Sequence, residues 1–363
     1  MALGIGKHTA WIMDRGGRRR IGQLQDMNMV RWNRVRDDIS EATIQLTAKS
    51  TSAQAKLLNQ IEPGRHELCL YRNNVRVWEG PITLPTFTSR GMEIHAKDVL
   101  YYAYRTAMHA GYSSAYPNIE YVTSRIKRIM VAELARKEAL GYNILDYLVE
   151  HHLPTDAKTS RVTLPMEMTV FEHLDGMAAD AGMDYTVVGR AIHLWDVSAP
   201  VMGQTRTVTE SDFLSDVIVS LYGSELATRA IVTDGQGNWA AAGGDDPFYG
   251  EWEVLHTAYD ETEGETPPTE GEMHSQAQRN MSGRNPTPLQ VRVPDNSSLN
   301  PNGVLSVDDL VPGVYIPVLA NINIRKVSQT QKLDTVKFEQ TPDGETISVT
   351  MSPSTKADEP EAA

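Results

Sequence analysis

Residues 67–82 read ELCLYRNNVRVWEGPI, and this segment decides the fold class. Residues 68–71, which are apolar, and residues 75–78, in which apolar side chains surround Arg76, flank the short polar stretch Arg72-Asn73-Asn74. Asparagine tolerates the positive φ angles that a tight hairpin turn requires. The segment therefore predicts two antiparallel strands joined by a turn at the asparagines.

The sequence on both sides of this hairpin continues the strand pattern. Apolar and polar side chains alternate over residues 42–48, which indicates a half-buried strand. Residues 84–88 and 92–96 predict a second hairpin. Several short strands at this spacing are typical of a small antiparallel barrel or sandwich. We therefore predict an N-terminal β-barrel over residues 1–105.

The pattern then changes to helical spacing. Asp98 can cap a short helix over residues 99–105, and apolar residues recur at helical spacing between residues 119 and 134. These features predict a helical connector over residues 106–142.

The next segment combines a helix with a hairpin. Thr169 and Glu172 have the spacing of a capping box, in which each side chain binds a free backbone N–H of the other residue. Two short strand patterns follow, with a turn at Gly189-Arg190. We predict a small α+β insert domain over residues 143–198.

Strand patterns return in the C-terminal part, at residues 217–222 and 226–233 and again from residue 314 to 351. Regular periodicity is lost between residues 240 and 302. We predict a second β-barrel over residues 199–352, with a long irregular acidic loop over 240–302, and a disordered tail over 353–363. The predicted fold is mainly β with α+β inserts: two small antiparallel β-barrel domains linked by helices and a small α+β domain.

Composition agrees with a fold of many turns. The 363 residues include 26 Gly and 19 Pro and suit two or three domains. Cys69 is the single cysteine, which excludes an intrachain disulfide and a cysteine metal cluster. The N-terminus lacks the apolar core of a secretory signal, and there is no run of 18 apolar residues. We therefore expect assembly in the cytoplasm and no membrane insertion.

Charge is distributed unevenly along the chain. The net charge of -13 argues against a protein that wraps nucleic acid. The residues from Asp245 to Glu272 include many acids and no Lys or Arg, whereas arginines crowd the first forty residues at positions 15, 18, 19, 20, 31, 34 and 36. These two segments are either solvated loops and strand edges or two faces that meet different partners.

Sequence motifs for catalysis are weak. Ser124 and Lys127 match the Ser-x-x-Lys spacing of penicillin-recognising acylases, but the companion motifs are missing. His151 and His152 are adjacent and cannot chelate one ion from a helix. A pair of carboxylates for glycoside hydrolysis is not excluded by sequence, because the fold sets its spacing. We predict no enzyme activity, no cofactor and no metal site.

Residues 32–46 and 67–82 resemble the opening barrel of minor tail proteins from long-tailed phages of actinobacteria, which in turn resemble baseplate hub proteins. The likeness is clearest over residues 20–105. It implies two related barrels with inserted domains, assembled as a homotrimeric ring at the virion tail tip. The implied partners are a distal tail protein ring, the tape-measure protein and other tail tip proteins, with DNA present only in transit.

The leading hypothesis is a tail tip hub that trimerises, caps the tail tube and lines the channel for the tape-measure protein and for DNA ejection. The alternative is a receptor- or carbohydrate-binding baseplate protein at the tip periphery, and a cell-wall hydrolase is a third, less supported one. Trp239 and Trp252 are candidates for anchoring a loop against a neighbouring subunit. The candidate interface or channel residues are Asp245, Asp246, Glu251, Trp252, Glu253, Asp260, Glu261, Glu263 and Glu265.

Overall fold

The computed structural model describes residue 4 and residues 6–47, 52–89, 91–112, 120–135, 148–150, 158–159, 163–181, 183–196, 204–257, 270–281, 284 and 289–354. The protein is mainly β, as the sequence predicts. The strands of the N-terminal part are β1 (His8–Asp14), β2 (Arg20–Leu24), β3 (Met27–Val35), β4 (Glu41–Thr47), β5 (His66–Arg72), β6 (Val75–Thr88) and β7 (Gly91–Lys97).

The middle strands are β8 (Glu120–Tyr121), β9 (Leu148–Glu150), β10 (Lys158–Thr159), β11 (Met183–Val188) and β12 (Ala191–Asp196). The later strands are β13 (Val208–Thr209), β14 (Ile218–Leu221), β15 (Arg229–Thr233), β16 (Trp239–Gly243), β17 (Glu253–Thr257), β18 (Leu289–Arg292), β19 (Ser297–Ser298), β20 (Tyr315–Ile322), β21 (Arg325–Thr341) and β22 (Gly344–Pro353). The helices are α1 (Ser52–Leu58), α2 (Leu100–Tyr104), α3 (Val122–Leu134), α4 (Val170–Ala181) and α5 (Glu270–Met281).

The chain divides into two compact units. Unit 1 consists of Met1–Asp216, Val293–Pro317 and Gln331–Ser352. Unit 2 consists of Val217–Arg292, Val318–Thr330 and Pro353–Ala363.

Unit 1 is built on a large sheet in which β2, β1, β5, β6, β7, β4, β3, β21, β20 and β13 follow one another, and β22 pairs with both β21 and β19. The predicted hairpins are confirmed, and both use β6, which pairs first with β5 and then with β7. Asn73 and Asn74 have φ angles of 50° and 66°, as the predicted turn requires. At Gly80 a Cβ atom would lie 1.9 Å from the carbonyl oxygen of Lys97, so only glycine permits this approach of the backbones.

The strands predicted for the N-terminal and C-terminal barrels meet in this sheet through the pairing of β3 with β21. Phe338 lies opposite Trp32, and their rings stack with centroids 3.9 Å apart. Both side chains are completely buried. The indole Nε1–H of Trp32 donates to Nε2 of His8 at 2.9 Å, so the polar atom of this core residue is satisfied.

The α+β part of unit 1 contains a three-stranded sheet, β11-β12-β9. The capping box is confirmed: the N–H of Thr169 donates to the Glu172 carboxylate at 2.7 Å, and the N–H of Glu172 donates to Thr169 Oγ1 at 3.2 Å. Helices α2, α3 and α4 share one hydrophobic core with β11 and β12. The predicted connector and insert therefore pack together around a common interior.

Unit 2 contains the sheet β16-β15-β17 and the strand pair β14-β18. Helix α5 covers one face of the three-stranded sheet, where Val232, Met273 and Ala277 are buried. The prediction of an irregular loop over residues 240–302 is wrong where β16, β17, α5, β18 and β19 form regular structure. Short strands such as WAAAG, and a helix with few apolar residues, give too weak a periodicity to be read from sequence.

Candidate interaction surfaces

The connection between β16 and β17 carries most of the described candidate residues, and we call it the 244–252 loop. Asp245, Asp246, Glu251 and Trp252 lie in this loop, and Glu253 begins β17. The remaining candidates lie outside the described residues: Asp260, Glu261, Glu263 and Glu265. The structure thus brings five of the predicted residues to one end of the unit 2 sheet.

Hydrogen bonds within the loop fix its shape. Asp246 Oδ1 accepts the backbone N–H groups of Phe248 and Tyr249 at 2.8 and 2.9 Å. The backbones of Asp246 and Gly250 exchange hydrogen bonds, and Trp252 Nε1–H donates to the Tyr249 carbonyl at 3.0 Å. The Asp246 carboxylate therefore holds the turn, whereas Asp245 is exposed on the surface.

Arg229 is the cation within this acidic group. Its Nη1 lies 2.6 Å from Glu251 Oε1 and 3.5 Å from Glu253 Oε1. Both carboxylates are about half exposed, so water and salt screen these pairs and each contributes little stability. Asp245 and Asp246 add two acids in the same loop, so this end of the unit 2 sheet carries four acids and one arginine and has a negative charge.

Large apolar side chains are exposed on the same unit. Phe248 is 85% exposed and Trp252 is 53% exposed, both in the 244–252 loop. Leu255, 67% exposed, lies opposite Ile231 in the β15–β17 register, on the sheet face away from α5. Trp239 is also more than half exposed. Exposed aromatic groups next to charges are typical of contact surfaces.

The arginines of the basic N-terminal segment differ in exposure in the structure. Arg34 is buried and donates to the carbonyl oxygens of Leu310 and Val77, and burial lowers its pKa to about 10. By contrast, Arg18 and Arg19 are exposed in the turn between β1 and β2, and Arg20, the first residue of β2, is also exposed. We call residues 15–20 the arginine hairpin.

Backbone and side-chain contacts hold the arginine hairpin in place. Arg15 Nη2 donates to the Gly64 carbonyl at 2.6 Å, and the N–H of Gly16 donates to Glu67 at 2.9 Å. Arg19 binds Asp14 at 2.6 Å; burial opposes the charge on Asp14, but Arg19 and a backbone N–H outweigh it and lower its pKa. The guanidinium of Arg20 lies over the Trp11 ring at 4.7 Å.

A buried ion-pair cluster lies beneath this hairpin, and no sequence motif predicted it. Arg190, in the β11–β12 turn, contacts Glu67 on β5 through both of its terminal nitrogens. The Tyr102 hydroxyl also donates to Glu67, at 2.6 Å. Burial opposes the charge on Arg190, but Glu67 and Glu79 outweigh it and raise its pKa. The cluster fixes the β11–β12 hairpin to the large sheet.

Two further clusters join distant strands of unit 1. Arg36 binds Asp184 at 2.9 Å and Asp334 at 2.5 Å, and Lys332 also binds Asp184. Burial raises the pKa of Asp37, which borders this cluster, to about 6.

The other cluster is the fully buried pair of Arg72 and Glu345. Arg72 Nε and Nη2 donate to the two Glu345 oxygens at 2.7 and 2.6 Å. The N–H of Gly6 also donates to this carboxylate, at 2.9 Å. These contacts lie within the fold, and we assign the pair a structural role.

The described residues lack two kinds of feature. They contain no group of three or more His, Cys, Asp or Glu side chains placed to hold a metal ion. Among the described helices, none has both the length and the apolar character needed to cross a membrane.

No family model matches the chain, and no curated protein matches its sequence. Solved structures do match its fold. The 43 kDa tail protein of prophage MuSo2 from Shewanella oneidensis is 11% identical, with a TM-score of 0.60 over 94% of this chain and 97% of that chain.

Two other tail proteins are similar. Prophage tail protein gp18 from Listeria monocytogenes EGD-e is 10% identical, with a TM-score of 0.55 over 96% of this chain and 95% of that chain. A tail protein from Neisseria meningitidis MC58 is 11% identical, with a TM-score of 0.54 over 95% and 96% of the two chains. The resemblance to phage tail proteins that the sequence suggested is confirmed at the level of the fold.

Proposed function

We propose that this chain is a structural component of a phage tail tip, a hub protein that assembles into a closed ring. The observation that carries the proposal is the match in fold to prophage tail proteins over nearly the whole length of both chains. A fold does not dictate a function, so the proposal also depends on the surfaces of this chain. The exposed aromatic and charged groups of both units suit a protein whose work is assembly.

In this proposal three copies form the ring, cap the tail tube and surround the channel that the tape-measure protein and then DNA use. The ring contacts a distal tail protein ring and other tail tip proteins, and it is assembled in the host cytoplasm before it joins the virion. A net charge of -13 per chain suits a channel wall, because DNA that passes an acidic surface is repelled and does not adhere. The chain itself performs no catalysis.

The alternative function is binding of a receptor or carbohydrate at the periphery of the tip. The exposed rings of Phe248 and Trp252 favour it, because aromatic faces commonly line sugar sites. The two functions differ in symmetry, since a hub occupies the tail axis and a receptor binder lies outside it.

A cryo-EM map of the assembled tail tip tests the proposal. We expect this chain in three copies around the axial channel. A copy number that is not divisible by three, or a position away from the axis, would contradict the hub function.

Zymography of the purified chain against host cell walls tests the absence of catalysis. We expect no lysis band. A band that disappears on substitution of a single carboxylate would show that the chain is a hydrolase.

A further inference from the structure

We propose that the 244–252 loop of one copy binds the arginine hairpin of the neighbouring copy. This inference rests on the proposed ring assembly and names the contact that closes the ring. It starts from an exposed apolar surface: Phe248, Trp252 and Leu255 are each more than half exposed, and nothing among the described residues covers them. Exposed apolar surface of this kind marks a contact site, and the charge around it indicates the partner.

The charges of the two surfaces are complementary. The 244–252 loop and the start of β17 carry four acids, of which Glu251 and Glu253 pair with Arg229, so four acids and one arginine leave a negative surface. The hairpin exposes Arg18, Arg19 and Arg20 in succession. Surfaces of opposite charge steer two molecules together and set their orientation.

Aromatic groups strengthen the match. A guanidinium can lie flat on a ring while its edge binds a carboxylate. The Arg20 guanidinium already lies over the Trp11 ring of its own chain, 4.7 Å from the ring centroid. Phe248 and Trp252 offer exposed ring faces among acids, which is the environment that an incoming arginine prefers.

Both surfaces are ordered before they meet. The hairpin is fixed by the bonds of Arg15 to Gly64 and of Gly16 to Glu67. The loop is fixed by the Asp246 carboxylate and by the Trp252 indole. Docking of two preformed surfaces loses little conformational entropy, so modest contacts suffice for specific association.

A second copy of this chain is the binding partner that the charges of the 244–252 loop favour. The 244–252 loop repels phosphate, so nucleic acid does not fit it, and one chain carries both complementary surfaces. Two different surfaces that bind each other give a heterologous interface, and this type of interface generates a ring when the rotation closes. A contact of this type is therefore compatible with the proposed ring.

Charge reversal tests the contact. The hairpin variant carries Arg18→Glu and Arg20→Glu, and it leaves Arg19 to bind Asp14. The loop variant carries Asp245→Lys and Glu251→Lys, and it leaves Asp246 to hold the turn. A combined variant carries all four changes. The matched control reverses Asp295 and Asp343, exposed acids outside the loop.

Sedimentation velocity of the full chain, at low and high salt, measures the association. We expect each charge-reversed variant to raise the dissociation constant at least about tenfold, because like charges then meet at the interface. The combined variant should recover most of the affinity, since its reversed hairpin meets a reversed loop. The control should associate like the wild type, and high salt should weaken wild-type association.

Each other outcome has a definite meaning. A wild-type chain that stays monomeric at every concentration overturns the ring, and with it this contact. A wild-type ring that both variants form equally well overturns the contact and leaves the ring. Loss of association in both variants, without recovery of association in the combined variant, also overturns the contact, provided that circular dichroism shows native melting temperatures. Association that a nuclease abolishes would assign the arginines to nucleic acid.

Discussion

The buried pair of Arg190 and Glu67 gives the sharpest prediction about stability. The side chains are 3% and 0% exposed, and Glu67 also accepts hydrogen bonds from Gly16 and Tyr102. Arg190→Met removes the cation and leaves the Glu67 carboxylate buried without it, whereas Glu79, which lies 3.8 Å from Arg190, keeps its pair with Arg76. Breaking a buried ion pair from one side costs about 3–5 kcal/mol of unfolding free energy. Because Gly16 and Tyr102 continue to donate to Glu67, we expect a loss near 3 kcal/mol, the lower end of that range.

A matched control uses the same substitution on an exposed pair. Arg31 Nε lies 2.7 Å from Glu339 Oε2, and the two side chains are 46% and 34% exposed. Arg31→Met should cost no more than about 1 kcal/mol. Urea denaturation followed by circular dichroism measures both variants.

A double variant separates the loss of the ion pair from the cost of leaving one charge buried without its partner. Arg190→Met combined with Glu67→Gln removes both charges, so it should lose less stability than the sum of the single variants. A loss of unfolding free energy for Arg190→Met that is no larger than the loss for Arg31→Met would contradict this prediction.

Three further predictions concern single residues. Gly80→Ala should lower the melting temperature of the chain strongly, because its Cβ would overlap the Lys97 carbonyl, whereas Gly223→Ala, in open space, should not; thermal unfolding compares the two. Burial raises the pKa of Cys69 to about 12, so a thiol reagent at pH 8 should modify Cys69 only after urea is added, and rapid labelling of the native chain would contradict this. Burial raises the pKa of Asp98 to about 7, so the stability that protonated Asp98 contributes is present below its ordinary pKa and is lost as the pH rises towards 7. Asp98→Asn should therefore remove this fall in stability with pH from a pH series of urea midpoints. An unchanged fall would show that Asp98 is not its source.

Local features of the fold were predictable because a few neighbouring residues encode them. The turn at Asn73 and Asn74 needs only two residues that accept positive φ angles. The capping box needs only Thr169 and Glu172, one helical turn apart. Each of these signals is complete within four positions, so no knowledge of the distant chain is needed.

The pairing of β3 with β21 was not predictable in the same way. Nothing local to Trp32 or Phe338 specifies that these two residues meet, because many apolar strands offer similar surfaces. Sequence also did not predict which arginines of the N-terminal segment reach the surface. Sequence placed Arg18 and Arg34 in one basic segment, yet one is exposed and the other is buried in unit 1. Which side of a strand faces the core depends on the sheet that the strand joins.

The three ion-pair clusters, two of them buried and the Arg36 cluster partly exposed, lie where such distant segments meet. Arg36 and Asp334 are separated by 298 positions, Arg72 and Glu345 by 273 positions, and Arg190 and Glu67 by 123 positions. Apolar contacts hold strands together but discriminate poorly between alternative partners. A buried charge tolerates only an opposite charge at one place, since any other pairing leaves it uncompensated in the interior. We therefore interpret these pairs as groups that help to fix which distant segments of unit 1 pack together, while the hydrophobic core supplies most of the stability.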